Sequence, residues 1–371
     1  MSMMSIVFSN VYDENLKELT ATRTMGSLPI LSRYRLIDFV LSNCVNSGIR
    51  NVGVITKMNY QSLMDHLGNG KEWDFDCKAG GLFILPPFGN RNAFMYRGKL
   101  EALYGALRYL KRSTDDYVLL SDSNIICSID YRKVLKHHLS HHADITVVAQ
   151  QQMITANDQN DKNLILEKDE NNRVTDVKVN CFTEKSGLCS LNMYLINRNL
   201  LIRLVEEAHT YSQVNLEKSL IQNKYDTLHI SVYEYLDYTA KIDSIQSYFL
   251  KSMEFLKPEV RRQVFHSDWP IYTKVLDEPP VFYSSQARVS RSLVADGCVI
   301  EGNVINSILF RGVRVKPGAC IRNSIVMQNT VIEENSTIEY TIVDKDAVIT
   351  ENKLLVGIDR YPVVIQKGTI A

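Results

Sequence analysis

The sequence predicts two folded parts in tandem: an α/β domain on a mostly parallel, Rossmann-like sheet, then a β-helix of hexapeptide repeats. Three observations predict it. Over the first 250 or so residues, short β-branched runs alternate with longer amphipathic ones. A proline-rich stretch then breaks the helical period. Beyond that break, aliphatic residues recur six apart and no helical pattern returns. The length of 371 residues agrees with about two domains at roughly 150 residues each. With 45% hydrophobic and 23% charged residues the chain is composed like an ordinary globular protein. Its 42 basic and 42 acidic side chains cancel, so neither nucleic acid nor an anionic membrane is an expected partner.

Taken in order, SIVFSN, NVGVITK, YVLLSDS and ADITVVAQ read as strands. Between them YRLIDFVLSNCVNSG, LEALYGALRYLKR and YRKVLKHHLSHH read as helices. Residues 160–196 are expected to form a β insertion, because ILEKDENNRVTDVKV alternates around a turn at Asn171 and Asn172. The α/β domain is assigned to residues 1–256. Residues 257–283, with Pro258, Pro270, Pro279 and Pro280, are assigned as a linker without helical period. Residues 284–371 carry the six-residue recurrences: Val294 and Ile300; Val315, Ile321 and Met327; Ile332 and Ile338; Ile342, Val348 and Leu354. Each would bury one aliphatic side chain per face of a prism. Seven cysteines without a C-x-x-C pair argue against a disulfide framework and a zinc ribbon. The first residues lack a basic start, and no stretch approaches about 18 apolar residues, so a soluble, reduced, cytoplasmic protein is expected.

Few constellations suggest chemistry. In KHHLSHH, His137 with His141 and His138 with His142 stand at helical spacing, which could put two imidazoles on one metal. No carboxylate or cysteine nearby completes a shell, so a solvated helix face is the preferred reading. Asp74 and Asp76 in WDFD imitate a cation-binding D-x-D, but two letters in a loop are a weak motif. The turn after the first strand is more telling. Phosphate-binding turns there use glycines, so that backbone N–H groups can close on the anion. Here the turn reads SNVYDEN, with no glycine and with Asp13 and Glu14 facing any phosphate.

The segment RYRLIDFVLSNCVNSGIRNVGVITK, residues 33–57, closely resembles the corresponding part of the glucose-1-phosphate adenylyltransferase (ADP-glucose pyrophosphorylase) family. The likeness continues through the MYRG ending at Gly98, the IDYRKVL starting at Ile129, and the WPIYT starting at Trp269. It covers essentially the whole chain. It implies a nucleotidyltransferase domain followed by a left-handed β-helix.

The departures from the catalytic pattern are specific. The family's G-G-x-G-T-R-L loop falls on residues 10–16, from Asn10 to Leu16, which removes every glycine and puts Asn15 in place of the arginine. R-A-K-P becomes Arg23, Thr24, Met25 and Gly26, and F-G-G-K becomes Ile30, Leu31, Ser32 and Arg33. The two aspartates that hold Mg²⁺ in active members correspond to Asn124 and Tyr238, with Asp122 and Asp237 close by but out of place. Mg²⁺ must be held between carboxylates to neutralise the phosphates during in-line attack, and an amide and a phenol do not supply that charge. By the same resemblance Asn10, Asn15, Tyr96 and Gly98 line a degenerate nucleotide pocket. Lys185 and Ser190 are the sugar-phosphate candidates, and Arg23 and Arg35 match basic positions for phosphorylated effectors.

The resemblance therefore implies a regulatory, non-catalytic subunit of glycogen biosynthesis that holds no metal or cofactor. Its expected partner is the catalytic subunit, in a hetero-tetramer, with a homo-oligomer as the state alone. Two alternatives are an active sugar-phosphate nucleotidyltransferase with a rebuilt Mg²⁺ site, and a hexapeptide-repeat acyltransferase. The second lacks a catalytic histidine, since none follows His266.

Overall fold

The computed structural model describes residues 1–78, 80–87, 96–153, 164–179 and 186–371. By internal contacts the chain divides into two units. One joins Met1–Val11 to Phe39–Thr239, and the other joins Tyr12–Asp38 to Ala240–Ala371.

The first unit is built on a nine-stranded sheet. Strand Met3–Phe8 lies inside it, parallel to Asn51–Ile55 on one side and to Tyr117–Asp122 on the other. All six of its residues are buried, as expected of a strand covered on both faces. Gly81–Leu85 continues the parallel set beyond Asn51–Ile55. The other half of the sheet departs from the expectation of mostly parallel pairing. Ser186–Asn197 runs antiparallel to Tyr117–Asp122 and to Ile145–Met153. The reason is its path: the chain makes the hairpin Leu164–Lys168 with Val174–Val179, and then returns along strands already laid down. Among the described residues, only Ile230–Glu234 restores a parallel pair in that half.

The predicted helix at 100–112 is two helices, Lys99–Gly105 and Leu107–Arg112. Gly105 lies at the break, where a Cβ would stand 2.9 Å from the Tyr96 hydroxyl, and a glycine is where helices commonly kink.

The second unit contains three parallel sheets of five strands each, the faces of the left-handed β-helix. Ile300, Val304, Leu309, Val315, Ile321, Val326, Ile332, Ile338, Val343 and Ile349 fill its interior and are fully buried. Each such side chain contributes about 1.5–3 kcal/mol by leaving water. Corners are made by residues in the left-handed region, Asn306, Asn323, Asn329 and Asn335 among them. They stack: the Asn306 amide donates to Asn323 Oδ1 at 2.7 Å. A ladder of hydroxyls runs beside them, with Ser324 N donating to Ser307 Oγ and Thr341 N to Ser324 Oγ.

The six-residue phase slips by one in each coil. Val326 rather than Met327 follows Ile321 in the interior, Val343 and Ile349 rather than Ile342 and Val348 follow Ile338, and Leu354 is 68% exposed. The side of the prism between Ile338 and Val343 is one residue short of six, and in a strand a shift of one residue turns the side chain to the other face. The segment expected to be a linker without helical period opens with helix Pro258–Val264, because proline at the first helical position lacks only an N–H that would be unbonded anyway. Among the described residues no helix is long and apolar enough to cross a membrane.

Candidate functional site

Ligands of open α/β sheets gather at the carboxyl ends of the strands. In the first unit Phe8 and Asp122, the last residues of two neighbouring parallel strands, lie side by side. Asp122 is buried there, and its partner is a lysine. Lys99 Nζ lies 2.9 Å from the Asp122 carboxylate and 2.6 Å from Glu217 Oε1. The Lys99 side chain is only 11% exposed. The rings of Phe8 and Tyr194 face the same ammonium, with centroids at 5.5 and 5.9 Å. The Tyr194 phenol is pushed well above its usual range, first by burial and next by the Glu217 carboxylate.

Asn124 is fully buried, in the turn between Tyr117–Asp122 and Ile125–Ile126. A neutral amide can be buried without a counter-charge, whereas a carboxylate there would need one. Tyr238 lies past the end of Ile230–Glu234, where its neighbours are pinned to the sheet edge. Gln150 Nε2 donates to the Asp237 carbonyl at 2.6 Å, and Thr239 Oγ1 bonds the same glutamine. The two positions therefore offer an amide and a phenol, and the carboxylate at Asp122 is already held by Lys99. These groups do not fit a divalent cation. Among the described residues no group of three or more His, Cys, Asp or Glu is arranged to hold a metal.

The remaining predicted pocket residues have local tasks. Asn10 Oδ1 accepts from Lys57 N at 2.9 Å, and its amide donates to the Met58 carbonyl, tying the end of the first strand to the next. Tyr96 donates to the Pro86 carbonyl at 3.4 Å. Gly98 is needed for close approach: a Cβ there would stand 2.3 Å from the Val214 carbonyl oxygen. Ser190 Oγ accepts from Asn192 N at a bulge where Asn192 adopts positive φ. Lys185, and Met95 of the MYRG motif, lie outside the described residues.

In the second unit, residues Asp13–Leu16 form one turn of helix, with Asn15 exposed. Asp13 is not directed at a phosphate: its carboxylate accepts from Met25 N at 2.9 Å and its carbonyl from Thr20 Oγ1. Arg23 is buried and gives one nitrogen, Nη2, to both oxygens of Asp344, at 2.8 and 2.7 Å. Arg35 is half-buried, and its backbone N–H donates to Asp38. A basic residue that the sequence reading missed joins them. The Lys345 ammonium is pushed down to about 7, chiefly by burial and next by the positive charges of Arg35 and Arg23.

Two weaker motifs resolve into structure. His138 is buried, with Nδ1 2.8 Å from Thr146 Oγ1, and His137 Nε2 lies 2.8 Å from Ser231 Oγ. The helix face expected to be solvated is thus packed on the sheet, and burial lowers both imidazoles to about 4. His141 stacks on His137 with centroids 4.0 Å apart. Asp74 pairs with Arg50, and Asp76 accepts from Asn69, so the D-x-D carboxylates are separately engaged.

Lys99 and Glu217 were also missed. The one available signal was a cation at the first position of a helix, where the peptide dipoles disfavour it and a carboxylate must compensate.

Comparison with known proteins agrees with this layout. Residues 12–233 match the family described as nucleotidyl transferase, and residues 281–362 match the GlmU-like C-terminal hexapeptide. The chain is 38% identical over 368 residues to the glycogen biosynthesis protein GlgD of Bacillus subtilis (strain 168), covering 99% of this chain and 96% of that one. To the GlgD of Geobacillus stearothermophilus it is 35% identical, covering 99% and 97%. To a glucose-1-phosphate adenylyltransferase of Bacillus thuringiensis (strain Al Hakam) it is 30% identical, covering 92% and 91%.

Proposed function

The chain belongs to the nucleotidyl transferase family, among the GlgD proteins and glucose-1-phosphate adenylyltransferases, and from that membership we propose that it serves glycogen biosynthesis as a non-catalytic, regulatory subunit. It joins a catalytic adenylyltransferase subunit, in a hetero-tetramer within the cytoplasm, and raises turnover or reduces the need for an activator. Of Arg23 and Arg35, the candidate contacts for a phosphorylated effector, half-buried Arg35 is the one partly exposed to solvent, whereas Arg23 is buried against Asp344. Lys345, poised near neutrality beside them, would gain charge when an anion binds.

The observation that carries the reading is the state of the strand ends. Phosphoryl transfer needs fixed positive charge between the protein's carboxylates and the phosphates. Here the buried Asp122 is neutralised from within by Lys99, and Asn124 and Tyr238 carry no charge to offer. Losing metal-centred stabilisation costs several kcal/mol of barrier, enough to silence turnover. A subunit without chemistry can still activate a partner by binding its active state more tightly than its inactive one.

The experiment is a titration of this chain into a fixed amount of catalytic subunit, followed by ADP-glucose formation. The chain alone should give no product, and the mixture should exceed the catalytic subunit alone. Asn124→Ala and Tyr238→Ala should leave the stimulation intact. Stimulation that those two substitutions abolish, or product from the chain alone, would replace this reading with that of an active enzyme.

A further inference from the structure

Lys99 stands where a cation is disfavoured on local grounds. It is the first residue of helix Lys99–Gly105, at the positive end of that helix, and it is almost wholly buried. Burying an ammonium costs several kcal/mol unless it is paired and hydrogen-bonded. The compensation is two carboxylates on opposite sides of the chain's topology: Asp122 ends a central strand, and Glu217 begins the helical turn Glu217–Gln222, 118 residues beyond Lys99. Glu217 is itself 8% exposed, and the phenol ring of Tyr194 closes the group. Two buried carboxylates within 3 Å of one point are a donor set that a divalent cation could bridge, and that point is filled by an ammonium.

We propose that Lys99 is a built-in counter-ion that takes the place of a divalent cation between Asp122 and Glu217. The cation is covalently tethered, so the strand ends keep a positive charge between the two carboxylates without metal and reject one at ordinary concentrations. This deepens the non-catalytic reading and rests on it for its meaning. Its readout is cation binding rather than turnover, so the two can fail separately.

The test measures Mn²⁺ binding to the full chain by the loss of the free-ion electron paramagnetic resonance signal. The wild type should bind none at this site up to millimolar Mn²⁺. Lys99→Met removes the charge while keeping an apolar stem, and should bind one Mn²⁺ per chain at least tenfold more tightly than the wild type. Lys99→Met with Asp122→Asn should lose that gain. Mn²⁺ should also raise the melting temperature of Lys99→Met but not that of the wild type, because a ligand that binds only the folded state stabilises it. If Lys99→Met does not accumulate folded, Lys99→Gln gives the same comparison. If neither folds alone, refolding with and without Mn²⁺ is read instead, and recovery with Mn²⁺ supports the proposal. Equal Mn²⁺ binding by wild type and variants, or variants that neither bind nor recover with Mn²⁺, would overturn it.

Discussion

Arg23→Ala should be among the most destabilising single substitutions in the second unit. The Arg23 and Asp344 side chains are 3% and 2% exposed, and one guanidinium nitrogen bonds both carboxylate oxygens. Removing the arginine leaves a buried carboxylate without its charge partner, which costs about 3–5 kcal/mol. At 1.4 kcal/mol per decade this is roughly two to three and a half orders of magnitude in the folding equilibrium. The pair itself is worth far less than its rupture. Replacing both members with apolar residues of similar volume, Arg23→Met with Asp344→Leu, is often neutral. The exception here is the bond from Lys345 N to Asp344 Oδ1 at 2.7 Å, whose loss costs about 1 kcal/mol. The double variant should therefore be less stable than wild type by about 1 kcal/mol, well short of the sum of the single variants. Urea unfolding of the full chain, followed by far-ultraviolet circular dichroism for Arg23→Ala and for the cycle of wild type, Arg23→Met, Asp344→Leu and their double variant, measures this. A cost below about 1 kcal/mol for Arg23→Ala, or additive single and double variants, would refute the claim that the pair is buried and coupled.

Two further outcomes follow from the first unit. Gly98→Ala places a methyl 2.3 Å from the Val214 carbonyl oxygen, a backbone atom that cannot rotate away, and should cost about 1–3 kcal/mol, read as a lowered melting temperature; an unchanged value would show that the two segments separate freely. His137 and His138 have folded pKa values of about 4, below the ordinary 6.5, so the unfolded chain binds more protons between those limits and stability falls as pH drops from about 6.5 to about 4. The urea midpoint across that window should decline in the wild type and decline less steeply in His138→Asn, where His137 remains, and equal slopes would show that His138 is solvated.

The sequence was most legible where period and pairing are local. The strands of the first unit and the prism interior announce themselves through β-branched runs and six-residue recurrence, and both are found. The one-residue slip in each coil was not legible, because the strand pairs Ile321 with Ile338 seventeen residues on, and seventeen does not divide by six. The histidine face misled because four histidines on ten or so residues look polar, while Thr146 and Ser231, which bond two of them, come from strands elsewhere in the chain. The site shows the same division. Missing glycines and carboxylates at 10–16, 124 and 238 are visible letter by letter against the family pattern. Lys99 with Glu217, and Arg23 with Asp344, join residues 118 and 321 positions apart, and no sequence periodicity connects them.

The grouping of Tyr12–Asp38 with the carboxyl-terminal residues also sets an order of events during synthesis. Tyr248 bonds the Pro29 carbonyl across 219 residues, and Arg23 meets Asp344 across 321. At roughly 5–20 residues per second, Arg23 is added to the chain some 16–64 s before its carboxylate exists. Through that interval Leu16, Leu19, Met25 and Leu28, all buried in the finished protein, belong to a nascent segment whose unit is completed only by residues 240–371. Translation speed and chaperone occupancy therefore act on this segment more than on any strand of the first unit. A message truncated before codon 344 would release a chain in which Arg23 lacks the carboxylate it pairs with.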